Sequence, residues 1–163
     1  MPTLSLAEDT LPESVRAQVH IPLKEVGSGT YRRFGLRVYR AILWAPEGKW
    51  DTAEPYALQL CYTRSVSKET LVDTVTDDIR GQNVTDDATL AAWQSTLNAT
   101  LPEVEDGDTI IGLSMPKKPA TIYYNGTKIA SIEDQTFSRA FFDIWLGKTA
   151  DEDMREGLLG NDK

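Results

Sequence analysis

Residues 30–40 carry the side chains best suited to chemistry. Arg32, Arg33, Arg37 and Arg40 fall within nine residues, and Tyr31 and Tyr39 lie among them. Together these types can bind an anion. The planar guanidinium fork fits a carboxylate, and a phenol hydroxyl supplies a second donor. In an uninterrupted strand Tyr31, Arg33, Arg37 and Tyr39 share one face, and Arg32, Phe34, Leu36, Val38 and Arg40 share the other. A bulge at Gly35 would exchange the faces along the strand. Two readings therefore stay open: a solvated face paired with nearby carboxylates, and a cleft wall that holds an anionic head group. Further on, Thr63-Arg64-Ser65 stands where a strand gives way to a helix. There Arg64 either reaches a pocket or caps local carbonyls.

Other chemistries find little support. Cys61 is the single cysteine, so neither an internal disulfide nor a cysteine-based zinc site can form. It lies in the apolar run 56–62, which suits a buried packing thiol. His20 is the single histidine, and the chain has no Gly-x-Ser-x-Gly elbow, so a hydrolase triad is poorly supported. No metal site and no cofactor are expected. Gly27-Ser28-Gly29 lacks the third glycine and the strand-to-helix context of a phosphate loop; it predicts a loop or bulge between strands.

The whole chain sets the frame for these residues. Its 163 residues, 40% of them apolar, suffice for one domain with a real core. The formal net charge of −8 repels phosphate backbones, so no nucleic-acid partner is expected. Acidic runs at 77–78, 86–87, 103–108 and 151–153 read as solvated faces or turns. No stretch approaches the roughly 18 apolar residues of a membrane helix. Residues 1–16 are polar and acidic and show no secretory signal. A periplasmic location follows if a leader preceded Met1 and was removed, a cytoplasmic one otherwise.

Periodicity supplies the elements. Residues 1–16 read as a flexible lead-in with a turn of helix from Pro12, and 17–163 as a single domain. Val19, Ile21 and Leu23 alternate as in a half-buried strand; residues 27–29 interrupt; residues 31–44 form a second strand, bent at Gly35. Residues 56–64 give another strand. Ser67 opens a helix with Leu71, Val72, Val75 and Ile79 inward, and a second helix from about Asp87 ends before Pro102. Strands at 109–115, 121–125 and 127–132 follow, the last two joined by the hairpin signal Asn125-Gly126. Helices at about 134–146 and 150–159 close the chain. Strands, helices, strands and helices in that order define an α+β protein, with an antiparallel β-sheet and a layer of α-helices on one face.

Gly27-Ser28-Gly29, the run from Phe34 to Ala41 with Leu43-Trp44, and Tyr56-Ala57-Leu58-Gln59-Leu60 leading into Tyr62-Thr63-Arg64 resemble bacterial chalcone isomerase-like proteins. The closing stretch is the most specific: Tyr124-Asn125-Gly126, Ile132, the run from Phe137 to Gly147, and Leu158-Leu159-Gly160. The resemblance spans about residues 24–160. It implies the chalcone isomerase-like fold with a ligand cleft between sheet and helices. In that superfamily plant enzymes cyclise phenolic enones, whereas relatives bind fatty acids without catalysis. The arginine of the plant enzymes falls on Tyr31 here, their strand threonine on Tyr39, and their helix-start tyrosine on Val66. The catalytic pattern is therefore not intact, and no catalytic residue is assigned.

The expectation is a non-catalytic binding or carrier protein for a small apolar or carboxylate-bearing ligand such as a fatty acid. Tyr31, Arg33 and Tyr39 anchor the polar end, and Tyr62 and Arg64 complete the ligand-binding set. The alternative is a chalcone isomerase-type intramolecular lyase in which Arg32 or Arg33 polarises an enone. A third reading is an interaction protein whose cleft is filled by side chains.

Overall fold

A computed structural model describes residues 10–160. Among these, six strands form one antiparallel sheet in sequence order: β1 Leu23–Arg33, β2 Leu36–Pro46, β3 Tyr56–Tyr62, β4 Thr109–Ser114, β5 Ala120–Tyr124 and β6 Thr127–Ile132. The short helix α1, Glu13–Arg16, precedes the sheet. Two helices, α2 Lys68–Arg80 and α3 Asp87–Thr100, are inserted between β3 and β4, although those strands are neighbours. Helices α4 Gln135–Leu146 and α5 Glu152–Leu158 follow β6. The expected α+β architecture is thus present.

Alternation along β3 shows how the sheet divides its faces. Tyr56, Leu58, Leu60 and Tyr62 join the cluster under the helices, with Trp93, Phe137, Phe141 and Trp145. Ala57 faces the other way, where Leu11 and Val15 pack with Ile111, Leu113 and Tyr123. Gln59 also turns to this second face. It accepts from Trp44 Nε1 at 2.9 Å and donates to the Thr10 carbonyl at 3.3 Å, so a buried amide keeps both its partners. The sequence predicts Cys61 as a buried packing thiol. It is half-buried, because the same alternation sends it to this thinly covered face.

Capping gives three of the acidic side chains a structural role. Ser67, Asp86, Asp134 and Asp151 each accept backbone N–H bonds at the start of α2, α3, α4 and α5. These contacts satisfy donors that the first helical turn leaves without partners.

The N-terminal third departs from expectation in three places. Of the lead-in over residues 1–16, residues 10–16 are packed: Leu11 and Val15 are buried, and Ser14 Oγ donates to the Gly126 carbonyl at 2.6 Å. Residues 1–9 lie outside the described residues. The strand proposed at Val19–Leu23 begins only at Leu23, since residues 20 and 21 form a bend. The break expected at residues 27–29 is no break. β1 runs through it, and the chain reverses at Phe34-Gly35 instead, where Arg33 pairs with Leu36.

Both corrections have a physical origin. Gly27 and Gly29 lie on the helix-facing side of β1, with the backbone of α5 and Met154 against them. Their missing side chains serve close packing rather than a turn. The true turn has φ of 54° at Phe34 and 78° at Gly35, the left-handed pair that a two-residue hairpin requires. Phenylalanine gives no turn signal, so residues 31–44 read as one strand.

Candidate ligand-binding site

Strand register assembles the site. Tyr31 pairs with Tyr39 across β1 and β2, and Tyr39 pairs with Tyr62 across β2 and β3. Three phenols therefore stand in a row on the helix-facing side of the sheet. Tyr31 and Tyr39 stack with centroids 5.0 Å apart, and Tyr62 tilts against Tyr39 at 5.3 Å. A register shift between Tyr31 and Arg32 leaves Val38 as the extra residue on β2.

Above this row lies a cavity of about 750 Å³, within the range of small-molecule pockets. β1, β2 and the end of β3 form its floor. α2 contributes Leu71 and Val75, α4 contributes Ile144 and Trp145, and Met154 of α5 closes one side. Val75 and Ile144 pack against the edge of the core and are half-buried where they line this space. The cleft is open, so the reading of a pocket filled by side chains is set aside.

Tyr31, Arg33, Tyr39, Tyr62 and Arg64 all border this one cavity. Their surroundings differ. Tyr39 is held by Trp145, whose Nε1 donates to its hydroxyl at 2.9 Å, so the Tyr39 hydrogen stays available to a ligand. The Tyr62 hydroxyl makes no hydrogen bond among the described residues. Arg33 and Arg64 are exposed at the rim. The Arg33 guanidinium lies 5.5 Å from the Phe34 ring centroid. Arg64 Nε donates to the Arg37 carbonyl at 3.4 Å, and the Thr63 hydroxyl donates to the same carbonyl at 3.3 Å. Residues 63 and 64 thus tie β3 to the start of β2.

Two contributors lie outside the residues predicted for the site. Helical spacing marks Trp145 as core packing or as a cavity wall alike. A buried indole N–H nonetheless needs an acceptor, and that need is the signal that could have placed it beside a polar group. Asp78, read as part of a solvated run, lines the cavity. Partial burial there holds its carboxyl above the usual range, and the neighbouring Asp77 adds to the shift. Arg80 engages Asp77 at 2.6 Å.

Burial also raises Tyr39 and Tyr62 well above the ordinary tyrosine value, against the smaller opposing effect of Trp145 on Tyr39. Both remain neutral hydrogen-bond donors at physiological pH. Folding favours their protonated form, so this contribution to stability is whole below about pH 10, the unfolded tyrosine value, and is lost as pH rises above it. In an alkaline titration followed by phenolate absorbance, these rings should ionise late, together with loss of the circular dichroism signal. Ionisation of all six tyrosines near pH 10 with the fold intact would contradict the burial.

A six-stranded antiparallel sheet carries helices on one face, with a cavity of small-molecule size between them. The chain belongs to the chalcone isomerase-like family, whose model matches residues 4–160. Among solved structures, a fatty-acid binding protein of Arabidopsis thaliana is similar, with a TM-score of 0.64 and 14% identity over 93% of this chain and 90% of that one. At that identity the likeness establishes the fold. No functionally curated protein matches the sequence. No helix among the described residues is long and apolar enough to cross a membrane.

Proposed function

We propose that this protein binds and carries a single-chain apolar acid, such as a fatty acid, without transforming it. The observation that carries the reading is the tyrosine row beneath an open cavity. Phenols, one of them with no hydrogen-bond partner among the described residues, face a space lined by Leu71, Val75, Ile144 and Trp145, with Asp78 also at its wall. A desolvated carboxylate needs such donors, because an unpaired buried charge is costly. An acyl chain gains from the apolar walls at about 25 cal/mol per Å² removed from water. Arg33 and Arg64 at the rim supply positive potential to an otherwise acidic molecule. The fold neighbour named as a fatty-acid binding protein points the same way.

The test is a titration with straight-chain fatty acids of increasing length, read by quenching of tryptophan emission, since Trp145 borders the cavity. Saturable equimolar binding that strengthens with chain length is expected. No binding across the series would refute the carrier reading. Turnover of a phenolic enone above its spontaneous rate would replace it with the lyase alternative. That chemistry needs a donor or cation at the developing oxyanion, which Arg33 or a phenol of the row would have to provide.

A further inference from the structure

The tip of the β1–β2 hairpin is out of keeping with the rest of the surface. Four large hydrophobic side chains are exposed among the described residues, and two of them sit here: Phe34 at 91% and Leu36 at 50%. Arg32, Arg33 and Arg37 surround them, all exposed, with Arg64 on the adjoining strand end. None of these arginines forms an ion pair among the described residues. Residues 30–40 contain no carboxylate, although the chain as a whole carries −8.

The turn itself sharpens the point. Among the described residues two hairpins turn on the same geometry, with φ of 54° and 78° at Phe34-Gly35 and of 49° and 86° at Asn125-Gly126. The second uses asparagine, which tolerates the left-handed conformation. The first puts a bulky aromatic there, a genuine outlier for such a residue, and aims it into solvent. Neither turn stability nor core packing accounts for Phe34, and local strain of this kind is characteristic of functional positions.

We propose that this hairpin tip docks on an anionic lipid bilayer, with Phe34 and Leu36 entering the interface and the arginines engaging lipid head groups. Aromatic rings partition to the head-group level, and basic side chains are drawn to anionic leaflets. Phe34, Leu36, Arg32 and Arg33 also border the cavity. A docked hairpin would therefore hold the cavity mouth against the bilayer, and an acyl ligand could pass between them with little exposure to water. This purpose rests on the carrier reading, but the docking does not.

Vesicle sedimentation without fatty acid reads the docking alone, and fatty-acid titration without vesicles reads carriage alone. The protein should sediment with vesicles of phosphatidylcholine containing one third phosphatidylglycerol, less so as salt rises, and not with phosphatidylcholine alone. Phe34→Asn should weaken vesicle binding on the order of tenfold. It should keep or raise the melting temperature, because asparagine suits this turn. Arg37→Gln, outside the cavity lining, should cost on the order of fivefold and leave fatty-acid affinity in solution unchanged. No sedimentation with anionic vesicles, equal sedimentation with neutral ones, or binding indifferent to both substitutions would overturn the proposal. A hairpin that instead seats an acidic protein would give the first of these results.

Discussion

Replacing Tyr62 with phenylalanine should weaken the binding of a straight-chain fatty acid on the order of tenfold or more, with the fold at least as stable as before. Tyr62 is buried at the end of β3, and its hydroxyl has no hydrogen-bond partner among the described residues. Loss of that oxygen breaks no hydrogen bond among the described residues. A hydrogen bond to a charged group contributes about 1.5–3 kcal/mol, and each 1.4 kcal/mol or so is tenfold in affinity. The neutral phenol is suited to the role because burial keeps it protonated. Tyr39 makes a less clean test. Its removal would strand the Trp145 N–H, which now finds its acceptor 2.9 Å away, and would mix a stability cost into the result. The same titration with the methyl ester separates charge recognition from packing: the ester should lose far less than the acid. Unchanged acid affinity in Tyr62→Phe, with binding otherwise intact, would remove Tyr62 from the anchoring set.

Much of this site could be read in the sequence, and the limits have physical reasons. Alternation and helical spacing found the strands from residue 56 onward and the four longer helices, because their apolar positions face one dominant core. The residues flagged on chemical grounds, Tyr31, Arg33, Tyr39, Tyr62 and Arg64, border one cavity. Their convergence depends on register, which pairs Tyr31 with Tyr39 and Tyr39 with Tyr62, and no local pattern encodes that pairing. The sequence points to the wrong turn because two glycines that mark a close approach look like punctuation, and the true turn holds a phenylalanine. Trp145 and Asp78 lie outside the predicted set for a related reason. Helical periodicity sorts residues into inward and outward, whereas a cavity is inward space with polar needs.

The glycine seat under α5 carries the other large prediction. A Cβ added at Gly27 would collide with the Gly157 carbonyl oxygen and would come within 2.8 Å of the Leu158 oxygen and 2.9 Å of the Gly160 nitrogen. All three are backbone atoms, so no side-chain rotation relieves the clash. Gly27→Ala should therefore lift α5 from β1 and destabilise the protein by about 3 kcal/mol, a large share of a typical domain stability of about 5–15 kcal/mol. Gly29 is the control two residues away on the same face. Its added Cβ would meet the Met154 sulfur at 2.8 Å and no other atom closer than 3.6 Å. Methionine adapts readily to such a change, so Gly29→Ala should cost about 1 kcal/mol or less. Urea unfolding of the two variants measures the difference. Equal stability would mean that α5 is not seated on Gly27. The functional consequence follows from the same geometry. Met154 of α5 and the adjoining Ala150 and Asp151 close one side of the cavity. A lifted helix should open that wall, so Gly27→Ala protein that remains folded should bind fatty acid more weakly although every anchoring residue is intact. The Gly-Ser-Gly stretch would thus act on a ligand through a helix it allows to approach, not through contact with the ligand itself.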